Sequence, residues 1–403
     1  MIIKKLPEEF EQARPIMQKI EAAGFEAYFV GGSVRDTILG NTIHDVDIAS
    51  SAYPNEIKQI FNRTVDTGIE HGTVMVLEHG EGYEITTFRT ESGYQDFRRP
   101  DSVTFVRSLT EDLQRRDFTI NALAMRENGE IIDLFSGLKD LKNGVIKAVG
   151  DPQQRFHEDA LRMMRAARFA SQLDFTIEAK TMAGIKANAS LLTKIAVERI
   201  RVELEKLFLG QNPTSGIEVF VNTKLYQYCP MLAPFEIDLR QLATLEKWDL
   251  SLPSEVWALL AYTFYLHGKQ INQFLKAWKT SNQVIIDTVQ VVAAINEISE
   301  EVLTAKMLYQ TGKERLISAN KIALLFGGEL TTDDILKRYD ELPIKHKNEL
   351  ELNGKQLLQE ANLRPGPIIG KILQRLEQDV VENKIENRHD LLIEAAKEMV
   401  KEG

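Results

Sequence analysis

The stretch from Tyr28 to Ala49, YFVGGSVRDTILGNTIHDVDIA, constrains the fold more than any other part of the chain. An apolar run, Tyr28-Phe29-Val30, reads as a short strand ended by Gly31-Gly32, and Ser33-Val34-Arg35-Asp36 opens a helical pattern carried by Val34, Ile38 and Leu39. Paired glycines let a backbone pass close to a ligand, and free N–H groups at a helix start favour an anion. Past the next turn comes His44-Asp45-Val46-Asp47-Ile48. Read as a strand, it puts Asp45 and Asp47 on one face, with Val46 and Ile48 on the other. Two adjacent carboxylates repel each other unless a cation lies between them. Hard oxygens at this spacing suit Mg²⁺, which keeps waters and substrate phosphates as its other ligands. Taken singly, Gly-Gly is an ordinary turn and Asp-x-Asp an ordinary solvated strand edge. In this order and at this separation they form a phosphate cradle followed by a metal site.

At 403 residues the chain is too long for one compact core and implies two to four domains. Its 43% hydrophobic and 27% charged residues exclude a disordered or fibrous protein. A formal charge of −10 argues against a chain wrapped in nucleic acid on all sides. An RNA ligand stays open, because a local basic groove decides that. The single cysteine, Cys229, rules out an internal disulfide framework and reads as a buried packing thiol. With no apolar leader in MIIKKLPEEF and no stretch of membrane-spanning length, the expected location is cytoplasmic.

Residues 1–143 alternate helical and strand patterns, and almost everything after them has helical period. Phe10 to Ala23 reads as an amphipathic helix with Ile16, Ile20 and Ala23 inside. Strands are expected at Ala27–Val30, Val46–Ala49, Thr73–Leu77, Tyr83–Phe88 and Val103–Phe105. Thr90 to Pro100, TESGYQDFRRP, is polar and reads as a mobile loop. In Arg115-Arg116-Asp117-Phe118-Thr119-Ile120-Asn121, Asp117 and Asn121 are one helical turn apart, an acceptor beside an amide that can test a ribose 2′-OH. Asp117 also reads as a plain helix N-cap. Further on, Arg155 to Phe169 has helical period with Met163, Ala166, Ala167 and Ala170 on an inward face. Asp159 sits at that face's edge with Arg162 three residues on, which is either a modest ion pair or, facing a nucleotide, a base reader. Steps of three drift about 60° each, so Arg168 points away from Asp159 and reaches another part of a ligand or is structural. Asn212-Pro213 reads as a domain break. The tryptophans Trp248, Trp257 and Trp278 and the Tyr262–Tyr265 cluster read as helical core.

GGSVRD followed by HDVDIA resembles the DNA polymerase beta-like nucleotidyltransferase superfamily, in its class II branch of tRNA CCA-adding enzymes and bacterial poly(A) polymerases. The RRDxxxNA stretch, Glu158-Asp159-x-x-Arg162 and Ala196 to Leu207 extend the resemblance as further motifs in order through the first half. It implies an α+β chain: a small mixed-sheet nucleotidyltransferase head at 1–143, then an elongated all-α neck at 144–210, body at 211–300 and tail at 301–403. By the resemblance, Asp45 and Asp47 hold Mg²⁺ and are catalytic, and Glu84 is the third, hydroxyl-activating carboxylate; a solvated strand glutamate is the other reading of Glu84. Backbone near Gly32, with Arg35 and Arg116, holds phosphates, Asp117 and Asn121 test the ribose, and Asp159 with Arg162 reads the incoming base. Arg165 and Arg168 match further nucleotide-binding arginines. Asp96, Arg98 and Arg99 match a flexible-loop element that supports the switch from C to A addition. Asp133 to Gly137, Asp140 and the Ala196–Leu207 stretch are expected to be structural, the last bracing the base-reading helix.

The expected activity is Mg²⁺-dependent transfer of CMP, CMP and AMP from CTP and ATP to a tRNA 3′ end, with no obligate protein partner. The tail, where Leu363 to Lys371 is either an RNA-phosphate contact or a plain helix–helix turn, is expected to grip the tRNA elbow. The competing readings are a poly(A) polymerase, an enzyme adding only CC or only A, and an inactive tRNA-binding protein. A phosphohydrolase lacks support, since the seven histidines show no metal-ligand spacing.

Overall fold

The computed structural model describes residues 1–403 except 44, 79, 96–98, 247, 362 and 403, and the backbone alone at 91–95, 99–102 and 402. It comprises two compact units, Met1–Thr244 and Leu245–Gly403.

The first unit begins with α1 (Glu8–Ala22), β1 (Ala27–Val30), α2 (Gly32–Leu39), β2 (Asp47–Ser50) and α3 (Pro54–Ile60). Strands β3 (Thr64–Gly68), β4 (Thr73–Glu78), β5 (Glu81–Thr87), β6 (Arg89–Gln95) and β7 (Arg99–Phe105) follow. After α4 (Leu109–Gln114) come β8 (Leu123–Met125), β9 (Ile131–Asp133) and α5 (Gly137–Lys142). Seven strands make one mixed sheet in the order β3-β4-β5-β2-β1-β8-β9, in which only β2 and β5 run parallel. β1 is apolar at every position because it is central and buried on both faces. On one face α1 inserts Phe10, Ile16 and Ile20, and the Phe10 ring meets Phe29 edge-on at 4.7 Å. On the other, Tyr28, Val30, Phe88, Leu113 and Ala124 form a cluster. Each such buried ring or branched chain contributes about 1.5–3 kcal/mol.

All five expected strands are present, with ends shifted by up to four residues. Ala23, expected inside, is the exposed residue after α1. The clearest difference is at 90–100. There β6 and β7 form a two-stranded antiparallel ribbon, registered from Arg89↔Phe105 to Gln95↔Arg99, where a loop was expected. Backbone pairing builds such a ribbon without apolar alternation, which is why the polar sequence concealed it. Asp96 and Arg98 lie outside the described residues.

The helical part of the first unit contains α6 (Pro152–Glu158), α7 (Leu161–Leu173), α8 (Ala179–Asn188), α9 (Val197–Phe208), α10 (Pro213–Asn222) and α11 (Glu236–Leu242). Asp159 takes an extended conformation (φ −139°, ψ 103°), so two helices stand where one continuous helix was expected. Met163, Ala166, Ala167 and Ala170 are buried as their spacing requires. Asn212-Pro213 lies inside this unit: the Asn212 N–H donates to the Ser171 carbonyl at 2.8 Å, and α10 packs on α7. The contact depends on Gly216, where a Cβ would lie 2.7 Å from Ser171 Cβ and 2.8 Å from the Ala167 carbonyl oxygen. Gly216→Ala is therefore expected to destabilise the first unit by about 1–3 kcal/mol through overpacking. A urea midpoint equal to that of the wild type would contradict this crossing. Cys229 is buried, and burial pushes its thiol well above the ordinary range.

The second unit is α12 (Pro253–Thr263), α13 (Lys269–Ala277), α14 (Asn282–Ser299), α15 (Ala305–Thr311), α16 (Lys313–Leu325), α17 (Thr332–Asp340), α18 (Gly354–Glu360), α19 (Pro367–Val381) and α20 (His389–Glu402). Trp257 and Trp278 are fully buried with ring centroids 5.2 Å apart, and Trp248 is half-buried. Tyr265 departs from the expected core: with φ +52° it leaves the helical path after α12 and is 77% exposed. Among the described residues no helix is long and apolar enough to cross a membrane.

Candidate active site

A cleft of about 1290 Å³ opens in the first unit between the β1–α2 turn, the residues after α4 and the faces of α7 and α9. Gly31 ends β1 with φ +79°, a conformation that favours glycine, and directs the chain into α2. No side chain caps that helix, and Gly31, Gly32 and Ser33 at its start line the cleft, which leaves its first N–H groups available to an anion there. The strand β2 begins at Asp47, opposite Val30, so Asp45 stands two residues ahead of the strand rather than within it. Both carboxylates line the cleft.

The Asp47 carboxyl is pushed above its ordinary value, first by desolvation and then by the charges of Glu84 and Asp45, against the pull of Arg116. Glu84 comes from β5, where it pairs with Met75, and does not line the cleft itself. Among the described residues no group of three His, Cys, Asp or Glu forms a ready-made metal cage. A pair of carboxylates with surplus negative charge, open to a phosphate-sized cleft, fits a hard divalent cation completed by substrate oxygens and water.

Beyond the cradle, charged groups join in a chain. Arg35 donates to Asp36 from Nε (3.0 Å) and Nη2 (2.8 Å), and to Asn121 Oδ1 from Nη1 (2.7 Å). Asn121 in turn donates to Asp117 Oδ1 at 3.0 Å. Asp117 Oδ1 also accepts the Phe118 N–H at 2.8 Å, and its Oδ2 accepts from Arg165 Nε at 2.8 Å and Nη2 at 2.5 Å. Burial alone would raise the Asp117 carboxyl; Arg165, Asn121 and Arg162 overrule it and hold it well below the usual carboxylate range. The expected helical turn between Asp117 and Asn121 is a single 3-10 turn, Thr119–Asn121. The ring of Phe169 gathers three guanidinium groups, with Arg168 at 4.2 Å, Arg35 at 5.1 Å and Arg165 at 5.3 Å from its centroid. Burial lowers the Arg168 pKa to about 10 against the pull of Glu203, whose Oε2 lies 3.2 Å from Nη1.

The third wall differs from the sequence expectation. Asp159 and Arg162 both line the cleft, but their side chains take other partners. The helix break at Asp159 turns its carboxylate toward α9, where Oδ2 lies 3.4 Å from Arg199 Nη2, while Oδ1 accepts the Leu161 N–H at 3.0 Å. Arg162 instead donates to Glu158 Oε2 at 2.8 Å and to the Arg115 carbonyl at 2.8 Å. Sequence reading missed Glu158 as a holder of Arg162, and it took α9 only as a brace. Glu198, Val202 and Lys206 all reach the cleft, at a spacing of four that the sequence does contain. Asp133 is structural as expected: Oδ1 accepts the N–H of Gly137 at 2.8 Å and Oδ2 that of Leu138 at 3.0 Å.

Comparison with known proteins places the whole chain among relatives of one kind. The family described as Poly A polymerase head domain matches residues 27–147, that described as probable RNA and SrmB-binding site of polymerase A matches 174–236, and a putative tRNA nucleotidyltransferase domain 2 matches 249–396. A CCA-adding enzyme of Limosilactobacillus reuteri is 59% identical over 403 residues, covering 100% of both chains. The crystal structure of a Bacillus stearothermophilus CCA-adding enzyme in complex with CTP is 39% identical with a TM-score of 0.88, over 98% of this chain and 99% of that one. A Thermotoga maritima CCA-adding enzyme complexed with tRNA shares the fold at 22% identity, with a TM-score of 0.62 over 98% of this chain and 97% of that one. The chain matches those relatives from end to end and belongs to the CCA-adding enzyme family of nucleotidyltransferases.

Proposed function

We propose that this protein adds C, C and A to the 3′ end of tRNA, taking CTP and ATP and releasing pyrophosphate. The observation that carries the reading is that one cleft is lined together by Asp45 and Asp47, by Gly31 and Gly32 with Arg116 beside them, and by Asp159 and Arg162. Asp45 and Asp47 would hold Mg²⁺, which when bound activates the tRNA 3′-hydroxyl and stabilises the leaving pyrophosphate. Glu84 adds its charge behind that pair. Backbone at Gly32, with Arg116 and with Arg35 behind Asn121, holds the triphosphate; Asn121, fixed by Asp117, meets the ribose. Asp159 and Arg162 present acceptors and paired donors to the base edge, so the protein replaces a nucleic-acid template. Arg165 and Arg168 serve the nucleotide through the cluster on Phe169.

The division into head (1–143), neck (144–210), body (211–300) and tail (301–403) belongs to the same reading, with the tail on the tRNA elbow, Asp96, Arg98 and Arg99 in the C-to-A switch, and the cytoplasm as the site of action.

The test is to incubate the protein with Mg²⁺ and a tRNA lacking its terminal CCA. Growth by two residues with CTP alone and by three with CTP and ATP is expected. A long ladder with ATP alone would make the protein a poly(A) polymerase. A stop after two residues with both nucleotides would make it a CC-adding enzyme. Binding without extension would leave only an inactive tRNA binder.

A further inference from the structure

Asp112 belongs to none of the motifs considered above, yet it is 1% exposed and its carboxylate holds Arg115 and Arg116, two arginines that line the cleft. Its Oδ1 accepts from Arg115 Nε at 3.0 Å and Nη2 at 2.7 Å, and its Oδ2 accepts from Arg116 Nη2 at 3.1 Å. Oδ1 also takes the Arg89 N–H at 3.4 Å, at the root of the β6–β7 ribbon. Burial alone would raise this carboxyl, but the two guanidinium groups more than offset it and hold it below the ordinary value. Arg116 Nη1 lies 3.6 Å from the point where a Cβ on Gly31 would sit, and its charge acts on Asp47. Asp112 therefore aims Arg116 at the mouth of the phosphate cradle.

The same helical turn is held from the opposite side. The helix α4 ends at Gln114, and its last carbonyls have no partner within the helix. The Gln114 carbonyl accepts from Arg155 Nη1 at 3.1 Å, and the Arg115 carbonyl accepts from Arg162 Nη2 at 2.8 Å. Two guanidinium groups from the α6–α7 region thus cap the negative end of α4. Glu158 fixes both of them, with Oε1 on Arg155 Nη2 at 2.5 Å and Oε2 on Arg162 Nη1 at 2.8 Å. The four residues from Asp112 to Arg115, one turn of helix, connect the phosphate-facing arginine to the base-facing arginine.

We infer that Asp112 is a positioning residue that fixes, through Arg116 and the last turn of α4, the distance between the phosphate-holding and base-reading ends of the site. The inference rests on the nucleotide-binding reading of the cleft. Its ligand is the nucleoside triphosphate held across both ends at once, whichever base it carries. Neither CTP nor ATP should be favoured by the clamp itself, because it acts on the phosphate side.

The test uses the full chain and the same tRNA extension assay. Asp112→Asn keeps the shape but removes the charge that balances Arg115 and Arg116. The expected result is a roughly tenfold rise in KM for both CTP and ATP, the size of one lost hydrogen bond to a charged group, with kcat reduced less than threefold. In an Arg116→Gln background the same substitution should raise KM less than twofold, since the group through which it acts is gone. A merely structural role would cost the same in both backgrounds, and that outcome overturns the inference, as does an unchanged KM. If Asp112→Asn alone does not fold, it is made in an Arg115→Gln chain, where one cation fewer needs balancing. There the tenfold rise in KM, relative to Arg115→Gln alone, is again expected, and its absence again overturns the inference. A wild-type chain that extends no tRNA would instead remove the functional reading itself.

Discussion

Asp47→Asn is expected to lower nucleotide incorporation by at least about a thousandfold while leaving tRNA affinity within twofold. The side chain starts β2 at the lip of the cleft, and a Cβ on Gly31 would lie 3.5 Å from its Oδ2, so it stands at the phosphate cradle. An amide keeps the size and one acceptor but loses the charge that a hard cation requires. The folded chain should not suffer. Desolvation and the charges of Glu84 and Asp45 already disfavour the Asp47 carboxylate, so neutralising it removes like-charge repulsion in the same stroke that removes activity. A variant with thermal stability no lower than that of the wild type, intact tRNA binding and no incorporation is the expected combination. Incorporation within tenfold of the wild type would remove Asp47 from the metal site. Lost tRNA binding or a lowered melting temperature would mean that the carboxylate holds structure.

The carboxylate pair was readable because everything that sets it is local. Strand, Gly31-Gly32 turn, helix and Asp-x-Asp occupy one stretch of 22 residues from Tyr28 to Ala49, so the two acids, two residues apart, reach the same cleft without any long-range contact. Even there, one detail depended on pairing. Whether Asp45 is inside β2 is decided by β1, which ends at Val30 and leaves nothing for Asp45 to pair with. The central strand and its apolar cover were legible for the same reason, and the second unit was legible as helices but not as a packing, as Tyr265 illustrates.

What escaped the sequence is long-range or rests on a break. Arg165 meets Asp117 across 48 residues and Arg35 meets Asn121 across 86, so periodicity could name these residues but not their partners. The Asp159–Arg162 pair failed for a different reason. Helical spacing predicts contact only if the helix continues, and the backbone leaves the helix at Asp159 itself. That break frees the carboxylate to face Arg199 and gives Arg162 to Glu158, which separates the two side chains whose pairing the helical spacing predicts. Asp112 escaped because, in a short helix before a conspicuous double arginine, it has the look of a surface residue; only burial shows that both arginines point back at it.

Asp117→Asn is expected to cost the first unit about 2–3 kcal/mol at neutral pH, below the range for a fully buried ion pair because water still reaches Arg165. The carboxylate is 8% exposed and every contact it makes is to a donor: Phe118, Asn121 and two nitrogens of Arg165. With an amide in its place, one oxygen remains to accept, an N–H₂ is turned toward a guanidinium, and the half-buried Arg165 charge loses its counter-charge. The pH dependence has a definite sign. The folded carboxyl lies below its unfolded value, so its stabilisation is complete above about pH 5 and is lost as pH falls through the unfolded value near 4 toward the folded one. The gap between wild type and variant in urea midpoints should therefore be widest at pH 7 and shrink steadily below pH 4, as the wild type loses what the variant never had. A gap independent of pH would mean that shape, not charge, is what Asp117 contributes. No gap at all would mean that Arg165 finds another partner, and the chain from Arg35 through Asn121 to Arg165 would then be a consequence of the fold rather than one of its supports.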